Sequence, residues 1–262
     1  MYKDLIYAIR LLKKNPGFSI LTMTVMSVGL GLAIFMFAMV NMLAYKDLDL
    51  TDYDRLVVVD ATVDGFEQNG GSIYPYDYHY FADRQQSYEE FGAYTSFTAN
   101  LSDGARAQRY SGAILDPVAF KLLDGNKNIL KGRSFTEEDT FDGAEEVMII
   151  SYKIWQEVFG GDENIIGKTA NLSGDVTKIV GVVNQGYTYP MNQDVWAPLN
   201  VSKTAKPGQG WVVSVLARLK PGVTMEQAQL ELAGYAKEIA NLSPETNGTI
   251  GVNSRSMVKM MM

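Results

Sequence analysis

The sequence predicts an α+β protein in which one N-terminal transmembrane helix precedes an exported domain. The first supporting observation is that no charged residue occurs between Asn15 and Tyr45, and that Phe18–Ala44 is almost continuously apolar. The second is that short β-branched runs and helix-forming segments alternate through the rest of the chain, a pattern typical of α+β folds. The third is length, because 262 residues suffice to bury a core without disulfide bonds, and cysteine is absent.

The composition excludes several kinds of chemistry. The chain has no cysteine and a single histidine, His79, which excludes thiolate metal sites, cysteine nucleophiles and two-histidine zinc motifs. A net charge of −7 argues against nucleic-acid binding, which needs clustered basic residues. No serine lies in a Gly-x-Ser-x-Gly motif, and no carboxylate pair is distinguished among the 30 acidic residues. We therefore expect no catalytic residue, no cofactor and no metal site in this chain.

Residues 18–45 are predicted to span a membrane. A helix needs ~20 apolar residues to cross ~30 Å of hydrocarbon, and this segment is longer, so it can span with tilt. A cleaved signal peptide is not expected, because such peptides have only ~7–15 apolar residues before a small-x-small cleavage site. Residues 1–17 carry a net charge of +3, whereas acidic residues follow the span. The positive-inside rule then places the N-terminus in the cytoplasm and the remainder, with a net charge of −10, outside.

Two further features concern contacts in and on the membrane. Residues 1–17 combine apolar and basic side chains at helical spacing, which predicts an amphipathic helix on the inner leaflet, broken by a Pro-Gly pair before the span. Within the span, Ser27 lies four residues before Gly31, and Gly29 four residues before Ala33. Small residues at this spacing allow helices to approach closely in lipid. A helix-contact face and an ordinary membrane composition both remain open.

The first half of the exported part is predicted to contain one aromatic helix among strands. Arg55–Asp60 is short and β-branched, as strands are. Tyr74–Phe81, leading into Arg84–Phe91, is predicted to be helical because Pro75 suits a first turn and aromatic residues recur at helical spacing. The next predicted strands are Tyr94–Leu101 and Gln108–Leu115.

The second half alternates short helices and strands. One short helix is predicted to open at Asp116-Pro117 and to run through Leu123, and another runs from Tyr152 to Phe159 and is ended by Gly160-Gly161. A longer helix begins at Thr224, with Gln227 placed for a capping box, and it has a regular apolar face. The predicted strands are Glu146–Ser151, Thr169–Leu172, Thr177–Val183, Asp194–Leu199 and Trp211–Leu219.

Three local patterns resemble ligand-binding motifs but fail in detail. Gly161–Thr169 resembles a phosphate-binding loop, yet five residues instead of four separate its glycines and it follows a helix, which indicates a structural turn. Asp124–Asn128 begins like a calcium loop, yet Ile129 and Phe135 occupy the positions that need Gly and Glu. A third cluster could attract a cation but also lacks the Gly and Glu positions of a calcium loop, so it is interpreted as a solvated acidic loop. Its members are Asp47, Asp49, Asp52 and Asp54.

The aromatic run Tyr74–Phe81 has two possible roles. Aromatic residues at helical spacing usually form the buried face of a helix, so we favour a core position for Tyr78 and Phe81. His79, within the same run, is interpreted as a packed or partly exposed residue. The alternative is a surface that binds a hydrophobic molecule or lipid, or stacks on a sugar.

Short motifs between residue 4 and about residue 240 resemble those of one family. They are DLIYAIRLLKKNPGF (4–18), SYEEFGAY (87–94), GRSFTEED (132–139), SYKIW (151–155), FGGD (159–162), IGK (166–168), IVGV (179–182), DVW (194–196) and ARLKPGVT (217–224). In this order and spacing, the sequence resembles bacterial ABC-transporter permeases of the FtsX-like class with a MacB-like periplasmic core domain.

The resemblance implies a two-part periplasmic domain, with a porter-like part and an inserted mixed α/β part. The implied divisions are a cytoplasmic segment (1–17), the transmembrane helix (18–45), the periplasmic domain (46–250), its porter-like part (about 50–105 and 207–247), its inserted part (about 106–206) and a tail (251–262). Permeases of this class continue into further membrane helices. The sequence ends at Met262, so a fragment, a split subunit or a natural truncation is expected.

The leading hypothesis is a single-pass subunit or fragment of a permease in the bacterial inner membrane, without catalytic residues of its own. The resemblance implies as partners a cytoplasmic ABC ATPase, other permease spans or a permease dimer partner, membrane lipid and a periplasmic adaptor or substrate protein, but no nucleic acid. Its periplasmic domain would couple ATPase action to export or to periplasmic partners. The alternatives are a membrane-anchored binding module for a hydrophobic ligand or lipid, and an exported hydrolase that uses carboxylates.

Overall fold

The computed structural model describes residues 14–44, 50–63, 66–67, 73–102, 107–248 and 250–257. The chain forms two compact units, which are Met1–Leu48 with Met262, and Asp49–Met261. The amphipathic helix predicted for residues 1–17 lies almost entirely outside the described residues, as do Asp47 and Asp49.

Helix α1 (Pro16–Ala44) contains the predicted membrane span. Its threonine hydroxyls donate to the helix's own carbonyls, from Thr22 to Phe18 at 2.9 Å and from Thr24 to Ile20 at 2.9 Å. These polar groups therefore need no solvent partner. The stretch Pro16–Met39 has a mean hydropathy of 2.2 and is long and apolar enough to cross a membrane. The predicted N-terminal apolar helix is confirmed.

The second unit is built on one mixed β-sheet. Its described strands are β1 (Leu56–Val63), β2 (Phe66–Glu67), β3 (Tyr88–Ser102), β4 (Ala107–Leu115), β5 (Ile129–Gly132), β6 (Val147–Ile150), β7 (Thr169–Leu172), β8 (Asp175–Val183), β9 (Val195–Pro198), β10 (Ser214–Leu219) and β11 (Ile250–Ser256). Their order is β11-β1-β10-β3-β4-β9-β6-β8-β5, with β2 beside β1, and with β7 beside both β3 and β8. Parallel pairs β4–β9 and β6–β8 occur among antiparallel ones, which confirms a mixed α+β fold.

Five described helices accompany the sheet, and their caps agree with the sequence. They are α2 (Pro75–Ala82), α3 (Pro117–Leu122), α4 (Tyr152–Glu157), α5 (Met225–Leu242) and α6 (Pro244–Asn247). The capping box of Thr224 and Gln227 is present at the start of α5, and the Asp116 side chain caps α3 by accepting the N–H of Ala119. Each of these caps satisfies backbone donors that the first helical turn leaves unpaired.

Two hydrophobic clusters lie on different parts of the sheet. The first joins the apolar faces of α2 and α5 to β1, β3 and β10, with Val59, Phe81 and Leu232 among its buried members. The second joins α4 to β6, β8 and the end of β3, with Ile150 and Trp155 among its members. Strand β3 contributes to both clusters, since its first half pairs with β10 and its second half with β4.

The edge strand β11 is held from two sides. It pairs with β1 from Val57 opposite Ser256 to Val63 opposite Ile250. From α5, the Gln229 side-chain amide donates to the carbonyl O of Val252 at 2.6 Å and accepts the N–H of Ser254 at 2.5 Å. The amide of Gln229 therefore bonds to β11 much as the peptide group of a neighbouring strand does.

The structure differs from the sequence predictions at three places. The aromatic helix ends at Ala82, and Tyr88–Phe91 already belongs to β3, because this segment pairs with β10. The residues assigned to a tail contain β11, which the sequence analysis did not predict. Strand β5 was also missed, since its four residues, Ile129–Gly132, are too few for a clear alternation.

Candidate functional site

The aromatic segment belongs mainly to the core. Tyr78 is 7% exposed and stacks on Phe91 with ring centroids 5.7 Å apart, and Phe81 is 2% exposed. Burial raises the pKa of Tyr78, and the nearby Asp116 carboxylate raises it further. The core position favoured for Tyr78 and Phe81 is therefore confirmed. Little of either ring is exposed, although Tyr78 also borders the groove beside His79.

Asp116 ties this helix to two other elements. Its carboxylate accepts the N–H of Ala119 at 2.7 Å, the N–H of Ala93 at 2.8 Å and the hydroxyl of Tyr78 at 3.1 Å. Burial raises the pKa of Asp116, although these three hydrogen bonds oppose the effect. Because all its donors come from the protein, this carboxylate links α2, β3 and α3 structurally.

His79 holds the segment that returns from β9 to β10. Its Nε2 lies 3.0 Å from the carbonyl O of Val201, and its ring meets that of Tyr78 edge-on. Beside it is a groove of about 400 Å³, bordered by Phe141, Leu199 and Glu137. Phe141 is 63% exposed, so the groove is open to solvent. His79 is thus a packed, partly exposed residue, as predicted.

Two of the candidate metal ligands, Asp124 and Asp52, are engaged by protein donors. Asp124 accepts two hydrogen bonds from Thr51 and lies 2.8 Å from the Lys127 ammonium. Asp52 lies 2.5 Å from the Arg55 guanidinium. Among the described residues, no group of three or more histidine or acidic side chains is arranged to hold a metal ion.

The turn that resembles a phosphate-binding loop connects α4 to β7. Gly161 and Gly167 have positive φ values of 70° and 87°, which explains the glycines by backbone geometry. Lys168 is paired with Asp162, whose carbonyl O accepts the indole N–H of Trp155 at 2.8 Å. The lysine is therefore engaged within the turn, in agreement with the interpretation as a structural turn.

A charged cluster at the start of the domain was missed by the sequence analysis. Arg218 is 7% exposed, and its guanidinium bonds to the carbonyl O of Thr51 at 2.6 Å and to Glu90 at 3.2 Å. Glu90 also lies 2.7 Å from Lys121. The available signal was an arginine inside the apolar strand β10, because a buried charge needs partners.

Comparison with protein families decides the class. The family model described as "MacB-like periplasmic core domain" matches residues 19–235. The chain belongs to this family. It carries the periplasmic core domain of MacB-like ABC-transporter permeases, preceded by one apolar helix.

Curated relatives of the MacB-like family match a smaller part of the chain. The chain is 25% identical over 109 residues to the macrolide export ATP-binding/permease protein MacB of Salmonella paratyphi A. It is 28% identical over 110 residues to the MacB protein of Salmonella typhimurium. Each match covers 38% of this chain and spans only 17% of the length of the relative.

Solved structures of MacB-like domains have the same fold. The periplasmic region of MacB from Actinobacillus actinomycetemcomitans is 15% identical, with a TM-score of 0.57, over 79% of this chain and 90% of that one. A domain of a putative permease from Porphyromonas gingivalis is 14% identical, with a TM-score of 0.59, and the match covers 79% of this chain and 93% of that one. The extracellular domain of the transporter YknZ from Gram-positive bacteria is 15% identical, with a TM-score of 0.55, and the match covers 76% of this chain and 99% of that one. At these identities the likeness concerns the fold alone.

Proposed function

We propose that this chain is a membrane subunit or part of an ABC-transporter permease, and that its periplasmic domain couples the action of a cytoplasmic ATPase to export or to periplasmic partners. The observation that carries the proposal is the family match over residues 19–235, which includes both the apolar helix and the domain. The role is mechanical, and the chemistry of ATP hydrolysis belongs to a separate subunit.

The arrangement of β1 and β11 supports a mechanical role. The start of β1 lies beside the end of β11, with Val57 opposite Ser256. The Asp60 carboxylate, which is buried, bonds to the Arg255 guanidinium at 2.6 Å and accepts the Ser214 hydroxyl at 2.6 Å. A displacement applied to either strand is therefore shared with its neighbours through paired backbone and buried polar contacts.

The two hydrophobic clusters support the division into two parts. We assign about 50–105 and 207–247 to the porter-like part, and about 106–206 to the inserted part. The cluster around α2 and α5 draws its members from 57–93 and 213–252, and the cluster around α4 draws its members from 99–195. Strand β3, which ends just before the assigned boundary at about residue 105, contributes to both clusters.

Orientation and partners follow from the same proposal. The N-terminus lies in the cytoplasm, α1 crosses the inner membrane, and the domain lies in the periplasm. The partners are an ABC ATPase, further permease spans or a permease dimer partner, and a periplasmic adaptor or substrate. The net charge of +3 in residues 1–17 supports the orientation.

Purification from native membranes tests the proposal. The full chain, recovered in mild detergent, is expected to bring with it an ATPase subunit that hydrolyses ATP. Reproducible recovery of the chain without an ATPase or a second permease subunit contradicts the proposal.

The natural absence of cysteine allows a clean test of orientation. In intact cells with a permeabilised outer membrane, an impermeant maleimide is expected to label V176C, since Val176 is 71% exposed in the domain. The matched variant K14C is expected to react only after the inner membrane is opened. The reverse pattern contradicts the orientation.

A further inference from the structure

The segment Leu50–Arg55, which we call the entry segment, precedes β1 and is bound unusually firmly. Leu50 is 6% exposed. All three polar groups of Thr51 are engaged, since its N–H donates to Asp124 at 2.6 Å, its hydroxyl donates to Asp124 at 3.0 Å and its carbonyl O accepts from Arg218 at 2.6 Å. The Lys127 ammonium also donates to the Thr51 hydroxyl.

The partners of Thr51 belong to two different layers of the domain. Asp124 follows α3 and adopts a left-handed conformation with φ 55°, which turns the chain there. Arg218 lies on β10, in the middle of the sheet. The entry segment is therefore bonded to the sheet and to the α3 region at a single residue.

A second basic residue binds the end of the entry segment. Arg55 donates to the carbonyl O of Leu219 at 2.9 Å and to Glu89 at 3.2 Å, and it pairs with Asp52. Its contacts lie on β10 and β3, next to those of Arg218. The segment is thus fixed at both of its ends.

Electrostatics show that these contacts stabilise charged groups. Burial opposes ionisation of Asp124, yet the hydrogen bonds from Lys127 and Thr51 outweigh it and lower the pKa of this carboxyl. The same balance lowers the pKa of Glu90, where burial is outweighed by Lys121 and Arg218. Charge-assisted hydrogen bonds at partly buried sites are stronger and more directional than exposed ion pairs.

We propose that the entry segment is the joint through which displacement of the membrane helix enters the domain, with Asp124 and Arg218 as its positioning residues. The inference rests on the proposed function, because it names the contacts that carry the coupling. Since Thr51 is bonded to two layers, a displacement of the entry segment moves the sheet and the α3 region together. If the bond to Asp124 is lost, the segment remains bonded to the sheet alone.

The chain offers a matched control for Asp124. Asp139 accepts the N–H of Thr136 at 2.8 Å and its hydroxyl at 3.1 Å, and it pairs with Arg133 at 2.6 Å. This group is similar to that of Asp124, Thr51 and Lys127, with an arginine in place of the lysine, but its threonine bonds span three residues instead of 73. The Asp139 group therefore tests the loss of one such aspartate without disturbing the joint.

Hydrogen exchange on the full chain with its ATPase in lipid nanodiscs tests the joint. In D124N, exchange over residues 50–55 is expected to become several-fold faster. The exchange changes that ATP induces in the domain are expected to be lost, while ATP hydrolysis continues. In D139N, residues 50–55 and the response to ATP are expected to match the unchanged chain. T51V, which keeps the backbone N–H, provides a milder variant if D124N does not fold.

The outcomes separate the joint from the proposed function. If D124N and T51V leave exchange at 50–55 unchanged, or if D124N retains the response to ATP, the joint is overturned while the proposed function stands. If the unchanged chain shows no ATP-induced exchange difference in the domain, the proposed function fails, and the joint fails with it.

Discussion

The Thr51 and Thr136 clasps use similar side chains for different purposes. We use "clasp" for an aspartate that accepts the N–H and the hydroxyl of one threonine beside a basic residue, as Asp124 and Asp139 do. In the Thr136 clasp, the bonds close one short turn of helix as a capping box. In the Thr51 clasp, they connect segments 73 residues apart. The comparison teaches that similar local chemistry serves either a turn or the assembly of the domain, depending on how far apart the bonded residues lie in the sequence.

The largest expected effect comes from removing the buried cation beside the Thr51 clasp. R218M leaves the carbonyl O of Thr51 and the Glu90 carboxylate without their buried partner. We expect a loss of roughly 3 kcal/mol in the free energy of unfolding, because the carbonyl O of Thr51 loses its charged donor and Glu90 keeps only Lys121 as a partner. The matched change R133M acts on a guanidinium that is 47% exposed and should cost less than ~1 kcal/mol. Urea unfolding followed by tryptophan fluorescence measures both.

If R218M and R133M lower the free energy of unfolding equally, burial of the arginine does not make the Thr51 clasp contribute more to stability than the Thr136 clasp. That result would also remove the reason for assigning a coupling role to Arg218. A change in the urea dependence without a change in midpoint would instead indicate an altered unfolded state.

The second prediction breaks the Thr51 clasp by geometry and leaves all its charges in place. A Cβ at Gly92 would lie 2.5 Å from the backbone N of Ala119, so G92A must push α3 away from β3. Asp124 follows α3 directly, so its distance from Thr51 should increase. We expect a loss of about 1–3 kcal/mol from overpacking, together with faster exchange at Thr51 in the same hydrogen-exchange measurement.

A matched substitution supplies the control for G92A. A Cβ at Gly143 would have no other atom within 4 Å, although an alanine there would be strained by the positive φ of 83°. G143A should therefore cost stability without changing exchange at Thr51. Equal exchange at Thr51 in G92A and the unchanged chain would contradict the link between α3 and the clasp.

The third prediction concerns a carboxylate that lacks a clasp. Asp77 is 3% exposed, one of its oxygens accepts from Asn247 at 2.7 Å, and the other has no hydrogen-bond partner among the described residues. Burial raises the pKa of Asp77 to about 6, which the bond from Asn247 only partly opposes. In the clasps, by contrast, basic partners and threonine bonds outweigh burial and lower the pKa of Asp124 and Asp139.

The sign of the pH dependence differs accordingly. Folding raises the pKa of Asp77, so the folded state binds its proton more tightly and stability falls as pH rises from about 4 to about 6. D77N should therefore raise the free energy of unfolding by roughly 1–2 kcal/mol at pH 7.5 and by almost nothing at pH 3.5. D124N should do the opposite, with its cost present at neutral pH and fading as acid protonates the clasp. Parallel urea titrations at the two pH values check this, and a gain for D77N that does not vary with pH would contradict it.

The comparison of clasps also explains what the sequence predicts well. Some features depend only on residues close together in the sequence, and these are predicted well. They are the Thr224–Gln227 capping box, the starts of α2 and α3 at proline, and the alternation in β4. The uncharged span is equally local. Family motifs were also recognisable, because their order along the chain is itself a sequence property.

The parts that were missed depend on contacts over long distances. Strand β11 has a polar sequence, and its pairing with β1, about 190 residues earlier, decides its conformation. Tyr88–Phe91 looked like the continuation of a helix until β10 paired with it. Thr51, Asp124 and Arg218 carry no common motif, so only the fold brings them together.

The Gln229 contact with β11 has a consequence for solubility. An edge strand offers unpaired N–H and C=O groups to any other extended chain, which is a common route to aggregation. Gln229 occupies two of these groups on β11, at Val252 and Ser254. One side chain on a helix thus occupies part of a sheet edge without a further strand. At these two positions, another extended chain can pair with β11 only after the bonds to Gln229 are broken.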